Sequence, residues 1–128
     1  MIPEKDTKQT VADLLMKDGF RLSRDRSFGD KWVADLSRED KHSITLIELK
    51  MGAPVATIDV SDANQERKAI KKSTKKDVHS IILNIGDFEL PAESQILDVA
   101  RAAGVEVIHG KTVQEALPMV EKHLVTDA

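Results

Sequence analysis

The sequence contains no cysteine, so neither a disulfide framework nor a thiolate metal site is available to it. This suits a reducing compartment without requiring one. There is no tyrosine, one tryptophan and three phenylalanines, too few rings for base stacking to be a main binding mode. No apolar run approaches the roughly 18 residues of a membrane span, and none is expected. The opening stretch MIPEKDTKQT lacks an apolar segment, so no signal peptide is expected either. Glycine-rich phosphate loops are absent: NIGDFELP and HGKT lack the required spacing. Serine-nucleophile motifs are missing, and His42, His79, His109 and His123 are scattered without metal-ligand spacing.

What is present is charge. Of 128 residues, 32% are charged, yet the formal net charge is only −3. The length suits one domain, residues 1–128, with a single core. Within it RKAIKKSTKK, residues 67–76, is basic and free of acids, so the rest of the chain is more acidic than the whole. A basic strip on an acidic body fits either a specific anionic partner or a solvated helix face.

Periodicity orders the elements. Val11, Leu14 and Leu15 have helical spacing over residues 4–18, with Gly19 as the stop. FRLSRDR reads as a short strand or extended link. Residues 31–37 and 43–50 read as hairpin arms around the polar REDKH. MGAPVATIDV reads as irregular, with Gly52 and Pro54 as breakers. Ser61 or Asp62 is expected to cap a helix running to about Lys75. VHSIILNIG has the near-continuous apolar run of a buried strand. Pro91 opens a helix through Ala103, VEVIHG is a further strand, and Thr112 caps a last helix to about Leu124. The order α-β-β-β-α-β-α-β-α implies an α/β fold with a mixed sheet.

The hairpin carries the candidate chemistry. Alternation along a strand puts Glu48 and Lys50 on one face and Leu49 on the other. A symmetric turn near residue 40 or 41 sets Asp35 opposite residues 45–47, and a one-residue shift or bulge brings it level with Glu48. Two neighbouring carboxylates repel unless a cation sits between them. Oxygen ligands favour Mg²⁺, Mn²⁺ or Ca²⁺. A lysine beside a metal-bound water can orient it and stabilise charge at phosphorus. The plain alternative is a cross-strand charge pair of the kind that decorates many sheets.

The stretch ADLSREDKHSITLIELK, residues 34–50, resembles the PD-(D/E)xK nuclease superfamily, the restriction-endonuclease-like fold. That pattern is an acid on one strand, a hairpin turn, then an apolar strand ending in Asp/Glu-x-Lys. The resemblance covers residues 4–86 and implies an α-β-β-β-α-β core, with the C-terminal strand and helices as additions. It implies Asp35 and Glu48 as metal ligands, the Leu49 carbonyl as a further ligand, Lys50 as the catalytic lysine, and Mg²⁺ or Mn²⁺ as cofactor. Spacing within the family favours Asp35 over Asp30, which could instead be the first acid or an auxiliary ligand. Gln65 would face the site from the following helix, and Lys68, Lys71 and Lys72 would hold nucleic-acid phosphates. Ala34 stands where a proline often precedes the acid. Glu4, Gln9 and Asp13 lie near the helix where many members place a glutamate.

More narrowly, VADLLMKDGFRL, the hairpin and ANQERKAIKKSTKKDVHSIILNIGD look like C-terminal nuclease toxin domains of contact-dependent inhibition and other polymorphic toxin systems. This implies tRNA or DNA as substrate, a cognate immunity protein as partner, and action in the cytoplasm after delivery by a secreted or cell-surface parent. A housekeeping or mobile-element DNA-processing endonuclease is the competing branch. A catalytically silent binding, assembly or immunity protein of the same fold is the reading from another class.

Overall fold

The computed structural model describes residues 10, 11, 13–15, 19–22, 34–90 and 95–124. Its centre is a five-stranded sheet in the order β1 (Arg21–Leu22), β2 (Leu36–Glu39), β3 (Ser43–Met51), β4 (Asp77–Ile85) and β5 (Val105–Gly110). The first three strands are antiparallel neighbours, and β3, β4 and β5 run parallel. Parallel neighbours need crossover connections. These are α1 (Thr57–Thr74) and α2 (Gln95–Ala102), and α3 (Val113–Lys122) follows β5. The fold is therefore α/β with a mixed sheet.

Both faces of the sheet are covered, which explains the long apolar runs in β3 and β4. On one face Leu36, Ile47, Leu49, Leu83 and Ile108 pack with Val11 and Leu15 of the N-terminal helical residues and with Ala116, Leu117 and Val120 of α3. On the other, Ile44 and Leu46 meet Ile70 of α1. There too Ile82 and Val105 meet Val60 and Ala63 of α1 and Ala100 of α2. Each Leu or Ile buried this way contributes roughly 1.5–3 kcal/mol.

Several boundaries differ from the sequence reading. Described β2 is Leu36–Glu39, so Arg38 and Glu39 extend the strand instead of forming the turn. Each has a partner that keeps it there. Arg38 is buried, lies 5.3 Å over the Phe20 ring and ion-pairs with Asp40 at 3.0 Å. Glu39 meets Lys76 at 2.9 Å. The turn shrinks to Asp40–His42, closed by the Asp40 amide donating to the Ser43 carbonyl.

The helix expected to be capped by Ser61 or Asp62 starts five or six residues earlier, with Ala56 as its N-cap. Asp59, in its first turn, accepts the Ala56 N–H at 2.8 Å, so a carboxylate from inside the helix satisfies the free end. Gly52, at φ +77°, turns the chain off β3 in a conformation that disfavours other residues. The C-terminal elements follow the reading closely, including Thr112, whose hydroxyl accepts the Glu115 N–H. The Pro91 helix start lies outside the described residues, and α2 is described from Gln95.

Candidate functional site

The hairpin register decides where the acids meet. Leu36 pairs with Ile47, Ser37 with Leu46 and Arg38 with Thr45. Continued by one position, this register sets Asp35 level with Glu48. That is the shifted alignment, not the symmetric one that placed Asp35 opposite residues 45–47. One contact fixes it: Asp35 Oδ2 accepts the Leu49 N–H at 2.8 Å, just where the β2 ladder has ended. The Asp35 carboxylate is thereby held against the strand that carries Glu48 and Lys50.

Glu48 and Lys50 share the face of β3 that α1 covers, both half-buried, while Leu49 is buried on the opposite face. Lys50 Nζ lies 3.4 Å from Asp59 Oδ2, the same oxygen that caps Ala56. Asp59 thus ties the start of α1 to the lysine. Beside Lys50 on β4 stands Asn84, fully buried. Its Oδ1 accepts the Val55 N–H at 2.9 Å, and its Nδ2 donates to the carbonyls of Ala53 at 2.9 Å and Lys50 at 3.1 Å. This amide fastens the connection between β3 and α1 over the sheet.

The helix expected to present Gln65 presents Glu66 instead. Gln65 is exposed, whereas Glu66 is buried on the stripe with Val60, Ala63 and Ile70. Burial pushes the Glu66 carboxyl up to about 7 from its usual 4.5. A hydrogen bond with the Ala34 backbone opposes that rise, and the Asp35 charge adds to it. Asp35, Glu48, Lys50, Asp59 and Glu66 therefore lie on one face of the sheet, with Asp59 against Lys50 and Glu66 against Ala34 and Asp35. Among the described residues no three carboxylate or imidazole side chains form a ready-made cation cage. A Mg²⁺ ion does not require one, because it keeps several waters and is commonly held by one or two carboxylates plus substrate oxygens. Asp35 and Glu48, from facing strand ends, suit that donor set.

Asp30 lies outside the described residues, as do Glu4 and Gln9. Asp13 is exposed, as are Lys68, Lys71 and Lys72. His42 is exposed in the turn, His109 stacks on Phe88 with centroids 4.7 Å apart, and His123 sits 3.7 Å from Glu106. Asp59, Glu66 and Asn84 were not singled out from the sequence. Two left a signal: Glu66 interrupts an apolar stripe at helical spacing, and Asn84 interrupts the apolar run IILNIG.

Glu66 gives a pH prediction. Its carboxyl holds a proton more tightly folded than unfolded, so its contribution to stability is complete below about pH 4.5. That contribution is lost as pH rises through about 7. Glu66→Gln, a neutral isostere, should match the parent at about pH 4 and exceed it by about 2 kcal/mol at about pH 8, after discounting for solvent screening. Urea melts at the two pH values measure this. A less stable variant at pH 8 would mean that the ionised carboxylate is favoured in place.

The chain matches no family model, no curated protein and no solved structure.

Proposed function

We propose that this protein is a metal-dependent nuclease that hydrolyses phosphodiester bonds of tRNA or DNA. The observation that carries the reading is the Asp35–Leu49 contact, which brings an acid from one strand against the Glu-Leu-Lys end of the next. Further support comes from the element order. The described order of three strands, a helix and a fourth strand in a mixed sheet agrees with the β-β-β-α-β part of the core that the PD-(D/E)xK resemblance implies. On this reading the core is restriction-endonuclease-like, and β5, α2 and α3 are additions to it.

Asp35 and Glu48 would hold Mg²⁺ or Mn²⁺, with Asp30 as the rival or auxiliary ligand. A bound ion would supply Lewis acidity and a more acidic water at neutral pH. The Lys50 ammonium has three protons to donate. Asp59 engages it in an ion pair while its charge stays available to orient water and to stabilise negative charge developing on phosphate oxygens. Glu66, its carboxyl pushed up to about 7, is only partly ionised at neutral pH, which limits its repulsion with Asp35.

The test is incubation of the purified chain with plasmid DNA and with total tRNA, with Mg²⁺ or Mn²⁺ and with EDTA. Cleavage with metal and none with EDTA is expected. Damage confined to tRNA fits a toxin domain with an immunity partner, and nicking confined to DNA fits a DNA-processing enzyme. Intact substrates under every condition leave a silent binding protein. Calorimetric titration with Mn²⁺ separates the first acids: Asp35→Asn should weaken binding far more than Asp30→Asn, and the reverse order moves the site to Asp30.

A further inference from the structure

The basic run divides into two parts. Arg67 is structural: its guanidinium donates to Asn64 Oδ1 at 2.9 Å and to the Ala103 carbonyl at 3.2 Å. Lys76 is structural too, bound to Glu39 Oε2 at 2.9 Å and the Asp40 carbonyl at 2.8 Å. That leaves Lys68, Lys71, Lys72 and Lys75, all exposed, with no acid between them in sequence. None has an acidic partner among the described residues.

They do not face the carboxylates. At 3.6 residues per turn, Lys68 stands about 160° around α1 from Glu66, Lys71 about 140° and Lys72 about 120°. Lys75, at φ 63°, ends the same row as the helix C-cap. The row spans about 10 Å along the axis, the rise of roughly three phosphates of one strand.

We infer that the outer face of α1 is a phosphate-binding exosite, in which Lys68, Lys71, Lys72 and Lys75 grip the nucleic-acid backbone away from the reacting centre. This rests on the nuclease reading for its choice of nucleic acid, but it concerns a different surface. The side chains favour a nucleic-acid backbone over a protein. Protein interfaces are depleted in lysine and anchored by aromatic residues and arginine. The exposed positions between these lysines are Ala69 and Ser73, which offer neither an anchor nor a base-reading amide. Flexible ammonium groups alone recognise charge without sequence.

The experiment compares the parent with a variant carrying Lys→Gln at all four positions, by fluorescence anisotropy in EDTA. The probes are a labelled DNA duplex and a labelled RNA hairpin, followed from about 50 to 200 mM salt. The variant should keep its melting temperature, because the four side chains are exposed. Its log–log salt slope should flatten by about 3 units, and affinity should fall alike for every sequence. An unchanged slope, or a parent that binds neither probe, overturns the exosite and leaves an acidic protein as the partner class for these lysines. Cleavage is scored separately with Mg²⁺. A flattened slope without any cleavage keeps the exosite and removes the nuclease. Cleavage with an unchanged slope removes the exosite alone.

Discussion

Lys50→Ala and Glu48→Ala should each reduce metal-dependent cleavage by about two to three orders of magnitude, while unfolding free energy moves by no more than about 1–2 kcal/mol. The asymmetry follows from position. Both side chains are half-buried at the end of β3, on the α1 side, and contribute little packing there. On the proposed nuclease reading Lys50 supplies positive charge where the reaction develops negative charge, and removing it leaves Asp59 with only its cap to the Ala56 amide among the contacts described above. Glu48 supplies half of the proposed ligand pair. Cleavage rates under single-turnover conditions, paired with urea melts, measure the two effects separately. If both variants cleave at the parental rate, catalysis does not reside at this strand end.

The second large effect is on stability. Asn84→Ala should lower the unfolding free energy by about 3 kcal/mol, since it deletes one buried and two part-buried hydrogen bonds to the backbone at Val55, Lys50 and Ala53. Asn84→Asp is the sharper variant. It keeps the shape and the acceptor for Val55 N–H, but it replaces a donor to two carbonyls with a buried negative charge. It should be at least as damaging as alanine. A mild Asn84→Asp variant would show that packing, not the amide donor, holds the connection. Cleavage should fall with either change, because the segment that Asn84 fastens runs from Lys50 to the start of the helix bearing Asp59 and Glu66.

What could be read in advance was local. Alternation put Glu48 and Lys50 on one face of a strand because strand periodicity does not depend on distant contacts. The apolar run of β4 and the Thr112 cap were legible for the same reason. The hairpin register was not, because Arg38 and Glu39 look like turn residues until Phe20 and Lys76 are brought beside them. Starting α1 at Thr57 required seeing Asp59 as a cap inside the helix, whereas Gly52 and Pro54 suggested a longer break. Gln65 was named from the sequence and is exposed, while the buried Glu66 stands one residue on, about 100° around the helix. A buried glutamate is also the less expected choice on burial grounds alone.

The helix that closes the far side of the sheet has a consequence of another kind. Asp35, Glu48, Lys50, Asp59 and Glu66 all fall within residues 35–66, while Ala116, Leu117 and Val120 of α3 cover the face that none of them uses. On the proposed reading α3 holds no site residue, so drift in it would lower the amount of folded protein without altering what each folded molecule does. The hairpin has no such freedom: Leu36, Ile44, Leu46, Ile47 and Leu49 build the core among the very positions that carry Asp35, Glu48 and Lys50. Drift there changes dose and act together, so selection can tune the first alone only through the last helix.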